Sequence, residues 1–243
     1  MGKLLKWEFK KQSFSKLILA VLLAIGELYF FYSLVFDKKD HLGLSTSLLF
    51  VFTIGALVFV SFESIITYSG ELKNKTGYML FMTPKSMKQI VGAKFISAGL
   101  QVVVVGLACF FIGLIDVLAV FAKYSSLKEL VDQVQKMFNI QIQASDVFVV
   151  VMSLIVSWLA TLALAFLAIT LSTTFLANKK IKGIASFGIY MLINILFSKF
   201  QFFVISFIDN TYGKTYATIA LAAVFSVVCY FVTSYMLEKR VSL

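Results

Sequence analysis

YSGELKNKTGYMLFMTPKSMKQIVGAK, the stretch from Tyr68 to Lys94, lies between two long apolar runs, and its reading decides how the rest of the chain is placed. It carries the only proline, Pro84, and five lysines at 73, 75, 85, 88 and 94. A lysine-rich connection between apolar runs is retained on the cytoplasmic side of a membrane by the positive-inside bias. The connection is longer than a minimal turn, and its middle (Gly77, Tyr78, Met79, Leu80, Phe81, Met82) is apolar and aromatic. Lysines around an apolar patch make a surface suited to a soluble partner.

Working outward, apolar runs occupy about 17–36, 45–67, 95–118, 147–175, 184–205 and 215–237. Each is long enough for a transmembrane helix of roughly 20 residues. The chain of 243 residues is 60% hydrophobic with a mean hydropathy of +0.93, well above the roughly 45–50% apolar content of soluble domains. We therefore expect an all-α integral membrane protein of six transmembrane helices, forming a single transmembrane domain over 1–243. No proline-rich or Gly/Ser linker sets off a second, soluble domain. The first run reads as an uncleaved signal-anchor, because it exceeds a 7–15-residue signal core and no small-x-small site follows it.

Charge orients the six spans. The segments 1–16, 68–94, 176–183 and 238–243 hold fifteen Lys or Arg residues against only Glu8, Glu71 and Glu238. The opposite-side segments hold seven lysines against seven acids, among them Asp37, Asp116 and Asp146. Both termini are thus expected in the cytoplasm. The formal charge of +10 is explained by lysines that meet anionic lipid headgroups and an acidic partner surface, without nucleic acid.

Two further helices are expected not to span. The N-terminal KLLKWEFKKQSFSK mixes lysines with Leu4, Leu5, Trp7, Phe9 and Phe14, which suits an interfacial helix although its apolar residues are not cleanly segregated on a wheel. On the outer side, Leu127, Leu130, Val131, Val134 and Phe138 recur at helical spacing within 126–142, and Ser126 with Glu129 fits a capping box. This amphipathic helix is read as resting on the outer membrane surface, with a substrate gate as the alternative. The third apolar run carries Gly92, Gly99, Gly106 and Gly113, one stripe at heptad spacing that drifts only about 20° per repeat. Such a stripe lets another helix approach closely, within the chain or from a second subunit.

Little in the chain is equipped for catalysis. The one histidine, His41, rules out HExxH and His-rich metal clusters. A GxSxG elbow and a GxxxxGK[ST] phosphate loop are both missing. Ser153, Ser157, Thr161, Thr170 and Ser172 lack a nearby base, and bonding back to helix carbonyls is their expected role. Cys109 and Cys229 fall inside apolar runs and read as core residues without a disulfide. The chain is accordingly not an enzyme and binds no cofactor or metal of its own. Two carboxylates lie inside apolar runs: Glu27 near the middle of the first and Glu63 near one end of the second. A charge at the bilayer centre costs at least about 2.5–3.5 kcal/mol, so each must face protein or water, or hold a proton. They mark a translocation path or a structural pairing, with Asn194, Gln201 and Gln101 as possible partners.

The run Tyr78-Met79-Leu80-Phe81-Met82-Thr83-Pro84-Lys85-Ser86, with Ile90 and Lys94 beyond it, resembles the permease subunits of bacterial ABC-2-type transporters. The N-terminal Leu5-Lys6-x-Glu8-x-Lys10-Lys11 and the six-span layout are also similar to that family. The resemblance implies a homodimer or heterodimer of permeases in the bacterial cytoplasmic membrane, each docked on a separate cytoplasmic ABC ATPase subunit that holds ATP and Mg. The segment Glu71–Met82 would be the coupling helix. Tyr78, Met79, Leu80 and Phe81 would be its anchors and Glu71, Lys73 and Lys75 its rim, with Gly77 within it. Pro84 would stop that helix and Ser86 would cap the next. The 176–183 loop, with Lys179, Lys180 and Lys182, would be a second contact, and 199–216 would be partly re-entrant. Export of an amphipathic or hydrophobic substrate, such as a toxin or antimicrobial peptide, follows as the expected function. The alternatives are a secondary transporter or channel built on Glu27, and a membrane-embedded enzyme or assembly factor, which the missing nucleophile and metal ligands disfavour.

Overall fold

The computed structural model describes residues 2–73, 86–124, 144–175 and 182–241. Within them the chain forms seven helices and no strand: α1 (Gly2–Lys11), α2 (Ser13–Val35), α3 (Lys39–Lys73), α4 (Met87–Tyr124), α5 (Ala144–Phe175), α6 (Lys182–Ser206) and α7 (Thr211–Val241). Six of them, α2 to α7, are long and apolar enough to cross a membrane, as in a multi-pass membrane protein. A helix satisfies all its interior backbone groups within itself, which makes it the form such runs can take in lipid. The helices outrun the apolar runs at several ends: α3 begins at Lys39 and α4 at Met87. The expected helix over 126–142 and the 176–181 part of the lysine loop lie outside the described residues. α6 runs to Ser206, a turn follows, and Asn210 Oδ1 accepts from the Tyr212 N–H at 3.1 Å to start α7.

The chain divides into two compact units. One comprises Met1–Leu5, Ser64–Ala98 and Ser145–Leu243. Its core gathers Tyr68, Ala98, Leu162, Phe166 and Ile169, with Met87, Ile90, Val91 and Leu237 forming a second cluster. Tyr68 stacks on Phe166 with ring centroids 4.3 Å apart, and Phe197 of α6 stacks on Phe225 of α7. Cys229 packs among Ala163 and Leu167, buried and unbonded.

The other unit comprises Lys6–Glu63 and Gly99–Ala144. Its core is built on Phe30, Leu34 and Leu49. Cys109 is likewise buried and unbonded. The end of α2 is a Schellman turn: the Lys38 N–H donates to Ser33 O at 3.2 Å and the Asp37 N–H to Leu34 O at 3.3 Å. Asp37, rather than the usual glycine, takes the left-handed conformation there (φ 54°). Lys123 of α4 secures this turn, donating to Leu34 O and pairing with the Asp37 carboxylate at 3.4 Å. Lys123→Met removes the donor and the charge while keeping the stem, and should cost about 1 kcal/mol. Thermal unfolding of the purified protein in detergent checks this; an unchanged midpoint would mean that the turn holds without the lysine.

The glycine stripe of α4 does not behave uniformly. Gly92 is buried, whereas Gly113 is exposed, with nothing within 4 Å of an added Cβ. Gly106 meets only Leu57 Cδ2, at an ordinary 3.7 Å. A tight approach occurs at Gly26 of α2, where an added Cβ would stand 2.8 Å from Leu49 Cδ2 and 3.4 Å from Phe52 Cδ2.

Candidate functional site: polar pairs within the spanning helices

Among the described residues, charged side chains meet at two places within the helices. The first is in the unit that holds α2. Glu27, half-buried on α2, has its carboxyl within hydrogen-bonding reach of the Asp116 carboxyl on α4. Two carboxylates would only accept, so this pair can hydrogen-bond only when one of its members carries a proton. The pairing follows from register. Glu27 lies eight residues before the end of α2 at Val35, and Asp116 eight before the end of α4 at Tyr124. Seven residues beyond each, Lys123 reaches Leu34 O, so these parts of α2 and α4 run parallel and in step. Asp116, counted with the outer charges on sequence grounds, is instead the partner of Glu27.

Glu63 of α3 has a different neighbour: the Lys16 ammonium of α2 lies close enough to be attracted electrostatically. Lys16 also stands over the Phe9 ring, 5.2 Å from its centroid. The neighbours of the two glutamates thus include Asp116 and Lys16, besides the amides named on sequence grounds. Gln201 donates to Thr218 O at 3.4 Å, which ties α6 to α7, and Asn194 is half-buried on α6.

The second place is in the other unit, where α3 and α4 flank residues 74–85. Glu71, near the end of α3, forms an ion pair with Lys94 of α4, and each residue is 7% exposed. One turn earlier on α3, the Tyr68 hydroxyl shares a 2.7 Å hydrogen bond with Thr170 of α5. Glu71, expected at the rim of a partner groove, thus faces Lys94 rather than an open surface. Ser86 precedes α4, and its Oγ accepts from the Gln89 N–H at 3.4 Å. On the same helix, Lys88 O accepts from the Tyr230 hydroxyl of α7 at 2.9 Å. Lys73 closes α3. Lys75, Gly77, Tyr78, Met79, Leu80, Phe81 and Pro84 lie outside the described residues.

The α5 hydroxyls bond back along their own helix: Ser153 to Val150 O, Thr161 to Ser157 O and Thr170 to Phe166 O, at 2.8 to 2.9 Å. Such bonding satisfies each hydroxyl locally and leaves no activated nucleophile among these three. Among the described residues, no three of His, Cys, Asp and Glu converge as metal ligands would.

Sequence reasoning found Glu27 and Glu71 but neither of their partners. The equal distance of Glu27 and Asp116 from their helix ends was a usable signal, given parallel first and third spans. The Glu27–Asp116 contact makes a specific expectation. Glu27→Gln keeps a donor for Asp116 and should leave thermal stability within about 1 kcal/mol. Glu27→Leu leaves Asp116 facing an apolar side chain and should cost about 1–2 kcal/mol, with Glu27→Leu/Asp116→Leu restoring most of it. Unfolding midpoints of the three variants in detergent decide the matter; equal losses for Gln and Leu would show that the carboxyls do not meet.

Compared with known protein families, curated proteins and solved structures, the chain has no match.

Proposed function

We propose that this chain is the transmembrane subunit of an ATP-driven exporter, similar to the ABC-2-type permeases, working with a separate cytoplasmic ATPase. The observation that carries the reading is the basic segment with an apolar centre, 74–85, strung between two helix ends that the buried Glu71–Lys94 pair holds together. A partner seated on Tyr78, Met79, Leu80 and Phe81 would then pull on α3 and α4 jointly. Tyr68–Thr170 and Tyr230–Lys88 would pass that displacement to α5 and α7. The charge asymmetry supports a cytoplasmic position for this segment and for both termini. The ATPase would hold ATP and Mg and do the hydrolysis, and a second permease subunit would complete the path. Few charges and 26 phenylalanines in the chain favour an amphipathic or hydrophobic cargo, with a membrane-active peptide as the proposed class.

Reconstitution tests this. In proteoliposomes the chain with its ATPase should move a fluorescent amphipathic peptide only with ATP, and the chain alone should not. Transport by the chain alone would remove the exporter reading.

One observation favours a second reading. The Glu27 and Asp116 carboxyls are neighbours inside the spanning helices, a placement at which a proton-coupled secondary transporter could hold a proton. That reading requires flux driven by a pH gradient without ATPase, abolished by Glu27→Gln.

A further inference from the structure

The N-terminal helix α1 is turned the opposite way from an ordinary amphipathic helix. Its inward stripe runs at i, i+4 spacing from the half-buried Leu4 to Glu8 and on to Gln12 just after the helix, and its two buried members are polar: Glu8 is 6% and Gln12 4% exposed. The opposite face carries Lys3, Lys6, Trp7 and Lys10, all exposed, with Phe14 exposed just beyond the bend at Gln12. Lys11 stands over the Trp7 ring, 5.4 Å from its centroid. The mixture that looks poorly segregated on a helical wheel is thus sorted by the fold. The only acid of α1 is turned inward, and lysines interleaved with aromatic rings are turned outward.

That outward face has one chemistry. Trp7 and Phe14 suit the boundary between headgroups and acyl chains, where an amphipathic ring is at home. Lys3, Lys6 and Lys10 can extend their apolar stems along the same boundary and place their ammonium groups at phosphate level. No exposed carboxylate within α1 offsets them. We infer that α1 is a docking arm for anionic phospholipid, with Lys3, Lys6 and Lys10 reading the headgroup charge and Trp7 seated beneath it. An acidic protein would satisfy the lysines equally, but Trp7 at 52% exposed lies just before, and Phe14 at 73% exposed within the first turn of, α2, a helix fit to cross the bilayer. Continuity with that helix favours the lipid surface. The inference needs only that α2 crosses a bilayer, and it stands or falls independently of the exporter reading.

The test uses the full chain in phosphatidylcholine nanodiscs that contain either brominated phosphatidylglycerol or brominated phosphatidylcholine. Fluorescence of the wild type minus that of Trp7→Phe isolates Trp7 from Trp158. Trp7 should be quenched at least about twofold more by the brominated anionic lipid, since each lysine near an anionic surface attracts it measurably. In Lys3→Gln/Lys6→Gln/Lys10→Gln, which changes exposed side chains only, this preference should vanish while quenching by brominated phosphatidylcholine persists. Equal quenching by the two lipids in the wild type would overturn the inference, leaving an anchor blind to headgroup charge. Absence of quenching by either would overturn it as well, turning the face toward water or a protein partner.

Discussion

Lys94→Ala and Glu71→Ala should each cost about 3–5 kcal/mol, because removing one member of a buried ion pair leaves the other charge less well compensated out of water. Both residues are 7% exposed, so water cannot take the place of the missing partner. The pair joins α3 to α4 next to the cluster of Met87, Ile90, Val91 and Leu237, and a poorly compensated charge there works against the packing of both. Lys94→Met/Glu71→Leu removes both charges and keeps the volume, and should recover most of the loss, since replacing a whole buried pair by apolar groups is often neutral. Thermal unfolding in detergent, followed by tryptophan fluorescence, separates the cases. A single alanine variant as stable as the wild type would mean that the two side chains are not paired in the folded protein.

The second large effect is expected at Gly26. Leucine there would drive four carbons into the space of Leu49 and Phe52, with the first already 2.8 Å from Leu49 Cδ2. Leu49 is part of the core with Phe30 and Leu34, so its side chain has little room to give. Overpacking of this kind costs about 1–3 kcal/mol, and Gly26→Leu belongs at the upper end because a helix, not a single side chain, must move. Gly113→Leu is the matched control. It adds the same bulk to a helix where nothing lies within 4 Å of the new Cβ, and it should leave stability unchanged or slightly raised, as leucine is the better helix former. Comparable losses at the two positions would show that Gly113 faces a second subunit.

The contrast between these glycines shows what was legible in the sequence and what was not. Runs of about 20 apolar residues announce helices by composition alone, and all six expected runs coincide with helices able to span a membrane. Their ends were less legible, because a helix once formed continues through polar residues such as Ser13 and Lys39 without needing apolar ones. The heptad of glycines drew attention to α4, whereas a tight approach occurs at Gly26, outside that repeat. Close approach depends on what the neighbouring helix presents, and Leu49 and Phe52 are separated from Gly26 by a turn and half a helix.

The polar pairs follow the same logic. Glu27 was conspicuous because a charge in an apolar run is costly, and Glu71 as part of the lysine-rich connection, but the partner of each is a matter of tertiary register. Glu71 and Lys94 are brought together only when α3 and α4 pack, and Glu27 meets Asp116 only because α2 and α4 run in step. The turn after α2 was hidden for a different reason. Asp37 stands where glycine would have announced a left-handed residue, and Lys123, which supports it, is 86 positions away.

The most direct measurement is co-purification of the tagged protein from membranes with a candidate ATPase co-expressed from a neighbouring gene, wild type against Tyr78→Ala/Phe81→Ala. The expected result is a stable complex that hydrolyses ATP, lost or much weakened by the double change while the thermal midpoint of the chain itself is retained. A well-folded wild-type protein that captures no ATPase would contradict the account, and would move the Glu27–Asp116 pair to the centre of a proton-coupled mechanism.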